Sequence, residues 1–476
     1  MRLKEFSGMG IRFSVIVALS VFSMICLTSC HDETVSGDKI NGPLRVSNAN
    51  PRYFEDANGN IVYLTGSHTW SNLVDTWNSD PPVLFDFTAY LNWLKKYNHN
   101  FIRLWTWELF KEIPEDDSPD KTNSIYPQPW KRTGPGIAPD GKPKFNLEEF
   151  NEDYFDRLRT RVDSAQSRGM YVSVMLFEGW GMQFAVDAWK NHPFHPDNNV
   201  NAVNADLDGD GKGLEIHTLA IPEITAIQEN YVRKVIDVIN GFDNVLYEIS
   251  NENHPPSTQW QYHMINCIHE YEETKPFRHP VGMTFQYRGG SNDTLFASPA
   301  EWISPNAYSG GKNLRDDPPA AKGEKVILYD TDHLWGIGGN VQWVWKTFTR
   351  GMNPIFMDPY DQPYTGRNEV AFDPIRKNMG YTRIYADKMD LSRAVPHYTL
   401  ASTKYCLAAP GQEYLVYQPL PDSSFTVALE KGKYRYEWFN TASGLVEKNG
   451  KVKARTGSIL FKAPFNGDAL LFLKRY

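Results

Sequence analysis

The sequence predicts an α/β chain, a (β/α)8 barrel followed by a small all-β sandwich. Three observations carry that prediction. Eight short apolar runs recur between about residues 60 and 390, most of them separated by helix-length segments. Carboxylates collect just past those runs, where a parallel barrel exposes its strand ends. After residue 395 the helical period stops, and short strand-like segments divided by Gly, Pro, Asn and Asp take over.

At the N-terminus, Arg2, Lys4 and Arg12 precede an apolar run from Phe13 to Leu27, closed by Leu27-Thr28-Ser29-Cys30. A basic start, an apolar core too short for a membrane span and a small-residue end mark residues 1–29 as a secretory signal. The final four resemble a bacterial lipobox, in which Cys30 carries the lipid, and Asp32 and Glu33 resemble a surface-export tag of Gram-negative lipoproteins. The expected location is the periplasm or cell surface, with the outer membrane reached only through that lipid. Residues 30–45 read as a tether, 46–395 as the barrel and 396–476 as the sandwich.

The strand runs of the barrel are Ile61–Thr65, Phe101–Thr106, Tyr171–Phe177, Val245–Ile249, Val281–Phe285, Trp302–Ser304, Val326–Tyr329 and Pro354–Met357. Candidate helices are Phe85–Tyr97, Tyr154–Ser167, Glu223–Asn240, Trp260–Glu272, Val341–Thr349 and Asp373–Met389. The fifth helix is poorly marked. In the C-terminal part the expected strands are Tyr414–Tyr417, Ser424–Leu429, Tyr434–Phe439, Ser458–Lys462 and Ala469–Leu473.

Composition narrows the function classes. Beyond the signal and Cys30 only Cys267 and Cys406 remain, which suits buried thiols and not a disulfide framework or a Cys-x-x-Cys zinc site. A net charge of −8 without a basic block argues against nucleic acid as a partner. The aromatic share of 14% suits either stacking on sugar rings or a large barrel core.

Past the strand ends lie His68, Arg103, Glu108, Glu178, Glu252, Tyr308, Asp330, Asp332 and Asp358, six of them carboxylates. So many acids on one rim point to two-carboxylate chemistry on a neutral polar substrate, glycoside hydrolysis. Glu252 is the candidate general acid, and the neighbouring Asn251 offers an amide to a substrate hydroxyl. The alternative for this Asn-Glu pair is a helix cap. Glu248 shares the strand face by period two but lies deeper, where it is expected to pair with Arg103 and serve structure. Asp332 is the candidate nucleophile, with Asp330 as second choice, although Asp-Thr-Asp also suits a plain turn. Arg103 is expected to hold that nucleophile through charge-assisted hydrogen bonds, and Tyr308 to donate to it. Substrate contacts are expected from His68, Trp105, Trp107, Glu178, Trp180, His333 and Trp335, with Trp70 and Trp189 also just past strands.

Ile102-Arg103-Leu104-Trp105, Tyr247-Glu248-Ile249-Ser250-Asn251-Glu252 and Asn306-Ala307-Tyr308 together resemble the clan of retaining glycosidases with carboxylates on strands four and seven, of apiosidase-like or cellulase-like type. The resemblance implies that Glu252 is the acid/base. It also implies a strand-seven nucleophile that is usually Glu, where this chain has Asp-Thr-Asp-His. Tyr405-Cys406-Leu407-Ala408, Glu413-Tyr414-Leu415-Val416-Tyr417, Trp438-Phe439-Asn440 and Gly467-Asp468-Ala469-Leu470-Leu471 resemble a small β domain named for collagen binding, which follows such barrels. The partner implied is an oligosaccharide or polysaccharide, not collagen.

Asp206, Asp208 and Asp210, with Gly209, resemble half of a calcium loop, although His217 stands where the bidentate Glu belongs. Calcium would be structural; the expected catalysis requires no cofactor. Two other classes stay open. One is a glycan-binding lipoprotein on a degenerate barrel. The other is a metal-dependent hydrolase through His192, His195 and His333, which lacks the His-x-His expected after the first strand.

Overall fold

A computed structural model describes residues 39–114, 122–309, 312–360 and 369–476. Eight parallel strands form the barrel: β1 (Gly66–His68), β2 (Phe101–Leu104), β3 (Tyr171–Glu178), β4 (Val245–Asn251), β5 (Val281–Thr284), β6 (Trp302–Ser304), β7 (Val326–Asp330) and β8 (Asn353–Met357). They pair in the order β1-β8-β7-β6-β5-β4-β3-β2. Beside that seam, the Asn100 N–H donates to the Thr65 carbonyl just ahead of β1 and β2.

The interior follows from the two-residue period of each strand. Phe101, Leu246, Trp302, Val326, Leu328 and Ile355 pack into one cluster with Leu44 and Phe54. Stepping by two from these residues reaches Arg103, then Glu248, Ser250 and Glu252, then Ser304, then Asp330. The apolar layer and the polar layer above it are therefore one alternation read from bottom to top. Gly282 in β5 is required by this packing, because a Cβ there would lie 1.8 Å from the Trp302 ring.

Helices α1 (Phe87–Lys96), α2 (Glu152–Gln166), α3 (Trp180–Phe184), α4 (Pro222–Ile239), α5 (Thr258–Glu272), α6 (Asn292–Ala297), α7 (Val341–Thr349) and α8 (Asp373–Lys388) connect the strands. The poorly marked fifth crossover is the short α6, which Ser291 caps by accepting from the Asp293 N–H. Between β6 and β7 no helix occurs among the described residues.

One expected strand is corrected, and further strands are added. Ile61–Val62 is not barrel strand one. It pairs antiparallel with Phe54–Glu55 in a small sheet preceding the barrel, because the Gly59 turn gives it a nearer partner. The segments after β1 and β2 also hold strands that the sequence pattern does not mark. They add an antiparallel sheet of Asp75–Trp77, Asn123–Tyr126 and Lys111–Glu112, and a hairpin of Trp130–Ile137 with Pro143–Phe150. The C-terminal domain also has three further strands, Val395–Pro396, Cys406–Ala409 and Leu445–Ala454.

The β domain is a six-stranded antiparallel sheet and a two-stranded one, Phe425–Leu429 with Gly457–Phe461. Cys406, Tyr414, Val416 and Leu471 pack against the smaller sheet. The alternate residues Leu407, Leu415, Tyr417, Leu470 and Phe472 pack instead with Trp345 and Phe348 of α7 and Tyr385 of α8. A sheet buried on both faces joins the two parts. Cys267 and Cys406 are buried free thiols.

Candidate active site

Arg103 stands at the centre of the polar layer, 2% exposed. Its Nε and Nη2 donate to Glu248 at 2.8 and 2.6 Å, and Nη2 also donates to the Asn251 Oδ1 at 2.7 Å. Its Nη1 donates to Asp330 and to Asp332, both at 3.0 Å. Burial opposes the guanidinium charge, but these carboxylates outweigh it and push the Arg103 pKa well up. The expected Arg103–Glu248 pair is present. It leaves Glu248 fully buried, beneath the cavity.

A cavity of about 780 Å³ opens above this layer, in the size range of small-molecule sites. Its wall includes Asn251, Glu252, Asp332 and His333, together with Trp70, Trp105, Trp107, Trp180 and Trp335. Of the six rim carboxylates expected from sequence, only Glu252 and Asp332 reach the wall.

The other four are absorbed elsewhere. Glu108 lies 2.9 Å from His217 Nε2 and 3.6 Å from His192 Nε2. Burial raises its pKa, but the histidines prevail and hold it at about 2. Glu178, a predicted substrate contact, does not line the cavity. Its carboxyl accepts from the Trp180 and Gly181 N–H groups, both at 2.8 Å, and so caps α3. Asp358 pairs with Arg376 at 2.6 Å. Asp330 is buried at the end of β7, where His68 Nε2 lies 2.9 Å away. Burial disfavours its charge, yet His68 and Arg103 hold its pKa below the carboxylate range. His68, the other predicted substrate contact, is likewise sealed from the cavity against Trp105, its ring stacked at 5.6 Å.

Glu252 follows β4 with φ +44°, a left-handed conformation that costs a non-glycine residue about 1–3 kcal/mol. Gln183 of α3 donates to its carbonyl at 2.8 Å, and its N–H donates to Thr284 Oγ1 at 3.4 Å. No described side chain hydrogen-bonds its carboxyl. Burial, with Asp332 and Glu178 nearby, pushes its pKa well up and so favours its protonated form.

Asp332 sits on a single 3-10 turn, Thr331–His333, which Asp330 caps by accepting from the Asp332 N–H. The turn and the charged site are therefore one structure, since the cap turns Asp332 into the cavity. His333 is held by Ser304 at its Nδ1 (2.7 Å) and faces Asn251 Oδ1 at its Nε2 (3.3 Å), and burial lowers its pKa. With its oxygen fixed by Arg103, Asn251 turns its amide N–H2 to the cavity.

Trp189 packs at 5.8 Å from His192, away from the cavity wall. Asp206, Asp208 and Asp210 bring carboxylate oxygens within 4.8 Å of one another, and Lys212 already lies 2.8 Å from Asp210. The side chain of Tyr308 and all of residues 1–38, including Cys30, lie outside the described residues. Sequence reasoning missed wall residues on the loops after β5 and β6, namely Tyr287, Arg288 and Arg315, and Glu112 after β2. Tyr287-Arg288-Gly289-Gly290 lies just past a strand end, so the rule that found Glu252 reaches it too.

Residues 117–287, spanning β3 to β5, match a family described as a domain of unknown function, DUF6298. No curated protein matches the chain by sequence. Among solved structures, one titled a glycoside hydrolase superposes with a TM-score of 0.59 at 12% identity, covering 91% of this chain and 97% of its own. A glycoside hydrolase family 5 protein from Bacteroides vulgatus superposes with a TM-score of 0.60 at 13% identity, over 91% of this chain and 94% of its own. At such identities the likeness is one of fold, and it takes in the barrel together with the β domain.

Proposed function

We propose that the chain is a glycoside hydrolase that cleaves O-glycosidic bonds in polysaccharide-derived glycans, with retention at the anomeric carbon. The carrying observation is that Glu252 and Asp332, alone among the six acids expected at the strand ends, share the cavity wall in unlike surroundings. In the first step Glu252 gives its proton to the glycosidic oxygen while an Asp332 oxygen bonds to the anomeric carbon and the leaving alcohol departs. In the second step Glu252, now a carboxylate, takes a proton from water, whose oxygen displaces Asp332. Asp332 is favoured over Asp330 because Asp330 is sealed under His68 and Arg103. The tryptophans supply faces on which sugar rings stack.

The test is a screen of plant and host polysaccharides, with the anomer of the first product read by NMR. Glu252→Gln should cut turnover of an accepted glycan by about a hundredfold to ten-thousandfold. Wild-type rates in that variant would reject the assignment, and an inverted anomer would reject retention. Saturable binding without turnover by the unmodified chain would favour a glycan-binding protein. Export and a lipid at Cys30 belong to the same proposal, and their support is the sequence of residues 1–33 alone.

A further inference from the structure

Besides Glu252 and Asp332, the cavity wall carries three charged side chains. On the β2 side the wall carries Glu112, 2.9 Å from Asn123 Nδ2. On the loops past β5 and β6 it carries two guanidinium groups. Arg315 lies 5.0 Å over the ring of Trp335, itself a wall residue, and its Nε lies 3.5 Å from the exposed Asp316 carboxylate. Arg288 lies 5.4 Å over Tyr287 and 5.3 Å over Phe184.

An arginine held over an aromatic ring keeps its N–H groups in the guanidinium plane, where they suit a planar or tetrahedral oxyanion. Five donors per guanidinium let a protein neighbour and a ligand share one side chain. Neutral sugar hydroxyls do not require two such cations on one wall.

We propose that this wall binds an anionic sugar, its carboxylate or sulfate ester seated between Arg288 and Arg315. The inference deepens the hydrolase proposal by naming a substrate class for the same cavity, and it rests on that placement. The shared chemistry is an oxyanion on a sugar ring, which a uronic acid or a sulfated sugar supplies.

The test is tryptophan fluorescence of the full chain, titrated with tetragalacturonate, a chondroitin sulfate tetrasaccharide and cellotetraose. One anionic ligand should bind about tenfold or more tightly than cellotetraose, the scale of a hydrogen bond to a charged group. That preference should weaken with salt. Arg288→Gln and Arg315→Gln should each reduce it, with circular dichroism unchanged, and Arg→Lys at either position should restore part of it. Preference for galacturonate identifies a carboxylate, and preference for chondroitin sulfate a sulfate. If neither anionic ligand outbinds cellotetraose, or if nothing binds, the proposal is overturned. Binding is read without turnover. A chain that binds the anionic ligand but hydrolyses nothing refutes the hydrolase proposal and leaves this one standing.

Discussion

Gln183 holds Glu252 by the backbone. One side-chain nitrogen on α3 donates to the Glu252 carbonyl at 2.8 Å and to the Gly179 carbonyl at 3.0 Å. The strained residue at the end of β4 is thereby tied to the helix that presents Trp180 to the cavity. Glu178 completes the arrangement by capping that helix.

If this tie positions Glu252, Gln183→Ala should lower kcat by about tenfold to a hundredfold, the cost of misplacing a catalytic group. The lost hydrogen bond should cost only about 1 kcal/mol of stability. Gln183→Glu keeps the size but not the donor, so it should behave like the alanine variant. Steady-state kinetics beside thermal melts check this. A fall in melting temperature with kcat untouched would mark Gln183 as merely structural.

Glu252 should also burden the fold. Burial first, then Asp332, raises its folded pKa above its unfolded value. The stability it contributes is therefore fully present below the unfolded pKa and lost as pH rises through the folded one. Glu252→Gln cannot ionise, so it should melt a few degrees above wild type at neutral pH, with the gap closing in acid. Calorimetry across pH checks the sign, and a gap that widens as pH falls would contradict it.

The β domain should not be separable from the barrel. Trp345 donates to Asn378 Oδ1 at 2.7 Å, and Asn378 donates to the Thr441 carbonyl at 3.1 Å, so a polar chain crosses the same junction as the shared core. A chain ending at residue 394 would expose Trp345, Phe348 and Tyr385, and should aggregate on expression. Light scattering reads the outcome. A soluble, cooperatively melting truncation would show the barrel to be self-sufficient.

Much of this was legible from local pattern. Period two separated Glu248 from Glu252 and directed Arg103 to Glu248, because alternation in a strand is a property of neighbours in sequence. Barrel strand one was misplaced by a few residues, since Ile61 and Val62 are as apolar as a barrel strand and only the local hairpin claims them. The rim acids were over-counted for a different reason. Glu108 is satisfied by His217, Asp358 by Arg376 and Glu178 by its own following turn, and pairing across space leaves no periodic trace. Gln183 was invisible for the same cause: its partner is a carbonyl 69 residues away.

Arg103 carries a consequence for how such a chain can change over generations. Exchanging Arg103 strands Glu248, Asp330 and Asp332 at the barrel axis, and removing one buried partner of such a set costs about 3–5 kcal/mol. Substitutions there would survive only when several arrive together. At the mouth, Arg315 meets Trp335 through a ring contact, and its carboxylate neighbour Asp316 is exposed. A lineage could therefore change what binds at the mouth while its axis stays fixed.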